Sequence, residues 1–235
     1  MIQVRDHPRD TLFALPVAEC RMLDFELAPE LEASEPPEAR GLERDEVRLL
    51  VSYHTDDRVA HARFRDISDF LSPGDVLVIN TSGTLNAALG VSRADGTPLE
   101  LHLSTRLPAD LWIVELRQPD EHATKPFYHG TAGERLRLPG NATATLLVPY
   151  RQDQRVSSHG DGRRVRLWIA ALQLPAPLHE YLALYGFPIR YSYVRESWPL
   201  SYYQTVYATE MGSAEMPSAG RAFTPALLTK LAAAG

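Results

Sequence analysis

Three stretches of the sequence hold residue types that can bind a polar ligand. The first is Asn80-Thr81-Ser82-Gly83-Thr84, directly after the apolar run 76–79. Open α/β sheets place their ligands in loops that leave the carboxyl ends of buried strands. Asn80 and Thr81 offer an amide and a hydroxyl that suit a ribose or a carboxylate. The plainer alternative is a polar turn that only leaves the sheet. The second stretch is Pro217-Ser218-Ala219-Gly220-Arg221-Ala222-Phe223-Thr224. Its small residues let backbone N–H groups approach a ligand, and a helix starting after Thr224 favours a negative group there. Arg221 can add a bidentate contact to a carboxylate or phosphate. An ordinary capped loop with an exposed Arg explains the same residues.

The third stretch is aromatic. Tyr181, Tyr185, Tyr191, Tyr193, Tyr202, Tyr203 and Tyr207 are seven of the chain's ten tyrosines, and Phe187 and Trp198 lie among them. Aromatic faces stack adenine or another nucleobase, although they more often fill a core. Tyr203, Gln204 and Tyr207 precede the second stretch and are expected to border the same pocket as Ser218, Gly220, Arg221 and Thr224. No nucleophile triad, dinucleotide fingerprint or phosphate loop is present. The single Cys and scattered His predict no metal site. The residues by themselves stop at an anion-friendly helix start.

The elements that must position these stretches change character along the chain. Residues 47–53 and 59–64 read as a hairpin around Thr55-Asp56-Asp57-Arg58, and Asp66 is placed to cap a short helix carrying Ile67, Phe70 and Leu71. Residues 76–79, Val-Leu-Val-Ile, read as a strand buried on both faces. Short strands then recur at 87–91, 99–103, 111–116, 135–138, 142–148 and 165–170, with Asp95-Gly96 as a hairpin turn. A helix follows Pro177, with Leu178, Tyr181, Leu182 and Tyr185 on one face and Gly186 as its C-terminal cap. A last helix starts with Thr224 as N-cap and Pro225 in its first position.

The expected fold class is therefore α/β and multi-domain, a mixed-sheet α/β domain interrupted by an inserted small β-barrel. Residues 1–22 read as an extension, 23–87 and 175–235 as the discontinuous α/β domain, and 88–174 as the insertion. The run 76–79 is expected in one sheet with elements after Pro175.

Charge is uneven. The chain carries a net charge of −6, and residues 1–48 account for it with six Arg against twelve Asp or Glu. A nucleic-acid partner calls for a basic surface. The best candidate is the Arg-rich segment 151–166, from which Arg155, Arg163 and Arg164 are taken as phosphate contacts; a solvated hairpin tip is the competing reading. No apolar run reaches the length of a membrane span, and the early apolar stretch 11–18 is broken by Pro16 and followed by Glu19. Cytoplasmic is the expected location, with no membrane partner and the oligomeric state left open.

Several short matches in one order then resemble the S-adenosylmethionine:tRNA ribosyltransferase-isomerase family, which makes epoxyqueuosine. They are Asp24-Phe25-Glu26-Leu27, Arg40, Arg48-Leu49-Leu50, Phe64, Pro73-Gly74-Asp75-Val76-Leu77-Val78, Asn80 and Gly186-Phe187-Pro188-Ile189 with Tyr191. The strongest is Tyr203-Gln204-Thr205-Val206-Tyr207-Ala208 followed by Pro217-Ser218-Ala219-Gly220 and Phe223-Thr224. The resemblance implies an α/β domain interrupted by a β-barrel. It also implies S-adenosylmethionine as ribosyl donor and a tRNA bearing an aminomethyl-deazaguanine base as acceptor, with no metal. The sulfonium would acidify the ribose, a base would take its proton, and adenine would leave. The deazaguanine amine would join the sugar, and closure to the epoxide would expel methionine.

The chain departs from the family where Arg221-Ala222 replaces a Leu-His pair and Ala87-Ala88-Leu89 replaces Ala-Arg-Leu. The family's pattern also continues beyond residue 235. The general base is not assigned. A noncatalytic nucleotide- or RNA-binding relative, or a transferase using the same donor on another small molecule, stays open.

Overall fold

A computed structural model describes residues 25–120, 124–151, 164–191, 193–194 and 196–235. The chain is a mixed α/β protein dominated by sheets, with two α-helices among the described residues. It divides into two compact units, Met1–Leu77 with Ala222–Gly235, and Val78–Arg221.

The first unit is built on the antiparallel hairpin β1 (Arg48–Ser52) and β2 (Val59–Arg63), close to the bounds expected from sequence. Its turn places Asp57 at φ 56° and returns with Tyr53 N–H bonded to Arg58 C=O at 2.9 Å. A 3₁₀ helix, Phe64–Phe70, follows, where a short helix capped by Asp66 was expected. Asp66 instead sits one turn inside and accepts from the Arg63 backbone N–H at 3.2 Å.

Phe64 and Ile67 are buried with Phe223 and Leu227. The Phe64 and Phe223 rings meet edge to face, with centroids 4.9 Å apart. The closing helix Pro225–Ala234 is capped as expected: Thr224 Oγ1 accepts from Leu227 N–H at 3.2 Å and donates to Asp45 Oδ2 at 3.0 Å. A carboxylate of the unit's own therefore lies at the positive end of this helix.

The second unit contains an eight-stranded sheet. Its strands are β4 (Ala88–Ser92), β5 (Pro98–Arg106), β6 (Leu111–Pro119), β7 (Thr124–Pro126), β8 (Arg135–Arg137), β9 (Thr143–Arg151), β10 (Leu167–Gln173) and β11 (Gly186–Phe187). Hydrogen bonding runs β10-β9-β8-β4-β5-β6, and β6 pairs again with β10, so the path returns on itself. Every pairing in it is antiparallel.

Alternation sets the interior. Leu99, Leu101 and Leu103 on β5 and Trp112, Val114 and Leu116 on β6 point inward, with Leu89, Leu136, Leu146, Trp168 and Ala170 from their neighbours. The Asp95-Gly96 turn joins β4 to β5 with Gly96 at φ 88°, where a residue without Cβ is favoured.

The helix Leu178–Tyr185 adds Tyr181 and Leu182 to this core, and Tyr181 Oη donates to Pro139 C=O at 2.7 Å. Gly186 caps it through a bond to Leu182 C=O, but in an extended conformation, φ −88°. It is glycine because of close approach: a Cβ there would run into the Asn86 and Leu182 carbonyl oxygens.

One expectation fails. Residues 76–79 form no strand, and Val76 and Val78 are 86% and 88% exposed. A continuous apolar run becomes a buried strand only when neighbours supply hydrogen bonds and cover on both faces. Among the described residues no strand pairs with it. It therefore shares no sheet with elements after Pro175.

Candidate functional site

The second unit brings together two segments that lie far apart in sequence. Strand β3 (Ser82–Thr84) runs parallel to β12 (Glu210–Ser213), with Glu210 opposite Ser82 and Met211 opposite Gly83. Upstream of the pairing, Thr81 C=O accepts from Thr209 N–H at 2.9 Å, and Asn80 Oδ1 caps the turn by accepting from Ser82 N–H at 2.9 Å. Asn80 and Thr81 are both exposed. Two such short strands have little stability of their own.

What holds them is the segment 203–205. Gln204 extends its side-chain amide along β3 as another strand would. Its Oε1 accepts from Thr84 N–H, and its Nε2 donates to Thr84 C=O, both at 2.8 Å. Thr84 Oγ1 donates to Tyr203 C=O at 3.0 Å, and Thr84 is almost fully buried. Sequence reading did not single out Thr84 as part of the site, although it closes the polar run that begins at Asn80.

The loop 217–221 lies against the same segment. Ser218–Gly220 form one 3₁₀ turn, with Gly220 N–H bonded to Pro217 C=O at 2.9 Å and Arg221 N–H to Ser218 C=O at 3.2 Å. Ser218 Oγ bonds back to Met216 C=O at 3.3 Å and remains exposed. Tyr207 Oη donates to Gly220 C=O at 3.2 Å. A Cβ at Gly220 would collide with that hydroxyl, so the close approach requires glycine.

Arg221 is 9% exposed, and its Nε donates to Tyr202 C=O at 2.6 Å. This loop therefore carries a buried guanidinium. Burial raises the hydroxyl pKa values of Tyr203 and Tyr207; for Tyr203 a Trp198 N–H bond and the Arg190 charge pull partly the other way. Both are neutral donors at ordinary pH.

Thr205 was missed as a separate candidate. It is 5% exposed, and its Oγ1 has no hydrogen-bond partner among the described residues. A buried hydroxyl without a partner is costly. Its methyl lies 3.3 Å from where a Gly220 Cβ would sit, so it borders this loop. The signal available was its place between Gln204 and Tyr207.

The structure thus gathers Asn80, Thr81, Tyr203, Gln204, Tyr207, Ser218, Gly220 and Arg221 within one unit. Thr224 belongs to the other unit, where it caps the helix Pro225–Ala234. Of the three arginines expected to meet phosphate, Arg155 and Arg163 lie outside the described residues. The Arg164 guanidinium lies 5.5 Å from the centre of the Tyr128 ring, a cation–π contact. Its neighbour Arg166 is paired with Glu115 at 3.0 Å, and Glu115 also holds Arg117. Among the described residues, no group of three or more His, Cys, Asp or Glu is arranged to hold a metal, and no helix is long and apolar enough to cross a membrane.

Comparison with known proteins identifies the family. A family model described as "Queuosine biosynthesis protein" matches residues 20–235. S-adenosylmethionine:tRNA ribosyltransferase-isomerases are similar over most of the chain. The protein from Thermotoga maritima is 33% identical over 208 residues, 88% of this chain and 54% of that relative. The protein from Symbiobacterium thermophilum is 36% identical over 217 residues, 90% and 56% of the two chains. That from Thermus thermophilus is 35% identical over 209 residues, 88% and 55%. The crystal structure of an S-adenosylmethionine tRNA ribosyltransferase from Thermotoga maritima aligns at 26% identity over 90% of this chain and 54% of that one, with a TM-score of 0.32. The chain spans about half the length of the curated relatives it matches.

Proposed function

The chain belongs to the queuosine biosynthesis protein family, and from that premise we propose that it takes part in moving the ribosyl group of S-adenosylmethionine to the aminomethyl-deazaguanine base of a tRNA, with isomerisation to epoxyqueuosine. The observation that carries this reading is the junction of β3, the segment 203–207 and the loop 217–221. Its hydrogen bonds link stretches that resemble the family's signature, with a buried arginine among them, and this supports the reading.

In this reading the donor binds beside that loop. Arg221 is the charged partner of its methionine carboxylate, and Gly220 and Ser218 bring backbone close to it. Tyr203, neutral by burial, supplies a hydroxyl, and Tyr207 borders the pocket with its own hydroxyl held by Gly220 C=O. Thr205 offers its unpartnered Oγ1 to the ribose. Asn80 and Thr81 face the ligand from the start of β3, and Thr224 caps the helix that follows the loop.

The chemistry begins with the sulfonium, which acidifies the neighbouring ribose carbon. A base removes that proton and adenine departs. The deazaguanine amine then bonds to the sugar, and epoxide closure expels methionine. The cation comes with the donor, so the scheme uses no metal. Ala222 stands where the family has His, so the proton goes to a group other than an imidazole at that position.

The returning path of strands is read as the small β-barrel, residues 88–174, inserted into a discontinuous domain of 23–87 and 175–235. Arg155, Arg163 and Arg164 are assigned to the tRNA backbone, and the setting is cytoplasmic.

The test measures adenine and methionine released from S-adenosylmethionine, with and without precursor tRNA. Release that requires the tRNA is the expected result. Binding of both without release would make the protein a noncatalytic relative, and release without tRNA would redirect it to another acceptor. Losing one charge-assisted bond costs about 1.5–3 kcal/mol, so Arg221→Ala should weaken donor binding roughly ten-fold or more by calorimetry. Unchanged donor affinity in that variant removes Arg221 from the site.

A further inference from the structure

Three of the seven clustered tyrosines are accounted for by packing, and Tyr203 and Tyr207 belong to the candidate site. Tyr181 is core, Tyr185 tilts against it with centroids 4.9 Å apart, and Tyr202 packs on Trp198 at 5.6 Å. Tyr191 and Tyr193 are different. Their rings are parallel to within 6°, with centroids 5.5 Å apart, and they are 38% and 39% exposed. Neither belongs to the buried core. Two parallel aromatic rings, each more than a third exposed, present ring surface to solvent.

The pair is fixed in place. Tyr191 Oη donates to Glu215 Oε2 at 2.6 Å, and Ser213 Oγ bonds to Glu215 C=O, also at 2.6 Å. Burial and the Glu215 carboxylate both raise the Tyr191 hydroxyl pKa, so the donor keeps its proton. Glu215 stands two residues before Pro217, where the loop of the candidate site begins. The rings are therefore tied by one hydrogen bond to the segment that leads into that loop. An aromatic surface ordered before binding loses little entropy when a ligand stacks on it.

We infer that Tyr191 and Tyr193 form a stacking platform for an unpaired base of the RNA acceptor, an assignment that rests on the proposed tRNA reading. Sequence-tolerant recognition of single-stranded RNA uses aromatic faces of this kind. The openness of the pair favours RNA over the adenine of the donor, because small-ligand sites enclose most of their ligand. The charge along the sequence is balanced here: Arg190 and Arg195 flank the two tyrosines, against Glu196 and Glu215. Stacking, and not phosphate attraction, must then supply the affinity here.

The experiment titrates the 235-residue chain with a fluorescent anticodon stem-loop RNA, with a blunt RNA duplex as control, and with S-adenosylmethionine. Stacking on one aromatic residue changes affinity by roughly five- to hundred-fold. Tyr191→Ala and Tyr193→Ala should each lose about ten-fold for the stem-loop. They should keep duplex and donor binding, and the salt dependence should be unchanged. Tyr193→Phe retains the ring and should stay within about two-fold of wild type. Tyr191→Phe keeps the ring but loses the Glu215 bond and should lose less than Tyr191→Ala.

The platform is overturned if the Ala variants bind the stem-loop as wild type does, or if they lose the duplex equally. Loss of donor binding with RNA binding intact also overturns it, by moving the rings to the adenine. A wild-type chain that binds neither RNA nor S-adenosylmethionine overturns the functional reading itself and the platform with it. That outcome is separate from a failure confined to the variants.

Discussion

Gln204 offers the sharpest test of how the candidate site is held together. Its amide makes two hydrogen bonds of 2.8 Å to the backbone of Thr84, a residue with almost no solvent exposure. Gln204→Ala would leave the Thr84 N–H and C=O without that partner. Each unsatisfied buried group costs about 1–3 kcal/mol. Water entering the vacated amide volume offsets part of this, so the expected loss is about 2–4 kcal/mol. For a unit of this size that lowers Tm by roughly 5–15 °C.

Gln204→Glu separates geometry from mere packing. An ionised carboxylate can accept from Thr84 N–H, but it faces Thr84 C=O with no proton to give. Burial and that carbonyl raise the introduced group's pKa in the folded state. The folded form then binds the proton more tightly than the unfolded chain, so stability relative to wild type improves as pH falls through the raised pKa. Thermal unfolding followed by circular dichroism at neutral and mildly acidic pH reads both effects. A Gln204→Ala variant melting within about 1 °C of wild type, or a Gln204→Glu variant with no pH dependence relative to it, would refute the clamp.

Three further outcomes are expected. Tyr181, buried and donating to Pro139 C=O, has its hydroxyl pKa pushed up to about 12, mainly by burial. Its folded pKa lies above the unfolded value near 10, so its stabilisation is complete below about 10 and is lost as pH rises toward 12. Tyr181→Phe should flatten that alkaline limb in pH-dependent melts while costing about 1 kcal/mol at neutral pH. Thr224→Ala removes the N-cap of the helix Pro225–Ala234 and should cost about 0.5–2 kcal/mol by denaturant unfolding, with Thr224→Ser close to wild type. Gly220→Ala drives a methyl into Tyr207 Oη, and adding Tyr207→Phe should recover part of the lost stability, a coupling of at least about 0.5 kcal/mol in a double-mutant cycle.

Local chemistry was legible where short-range physics decides the outcome. The Asp95-Gly96 turn, the alternating strands around it, the Thr224–Pro225 helix start and the helix after Pro177 are all written in a few adjacent residues. Residues 76–79 were misread for a reason the same physics supplies. Four apolar residues in a row carry the composition of a buried strand, but composition does not contain the partner that would bury it. The 3₁₀ form of Phe64–Phe70 was equally hidden, because the capping residues of the two helix types are shared. Most of the candidate site could be named from motif order, yet the bonds that join it span about 120 residues of sequence, and no local pattern encodes a contact at that separation.

Those long-range bonds also change what the signature residues are for. The parallel pair of β3 and β12 is too short to be stable alone. Gln204 supplies backbone-like hydrogen bonds to β3, and the Tyr203 carbonyl takes the Thr84 hydroxyl. Tyr207 anchors the loop at Gly220, and the Tyr202 carbonyl holds Arg221 by its Nε. The peptide groups and side chains of 202–207 thus reach β3 on one side and the loop 217–221 on the other. We read Gln204 and Tyr207 as positioning residues. If so, their replacement should lower stability and donor affinity together, whereas a residue that only touches the donor should lower affinity alone. Melting temperature and donor affinity measured on the same variants distinguish the two classes, and Gln204→Ala with full stability but lost donor affinity would reverse this assignment.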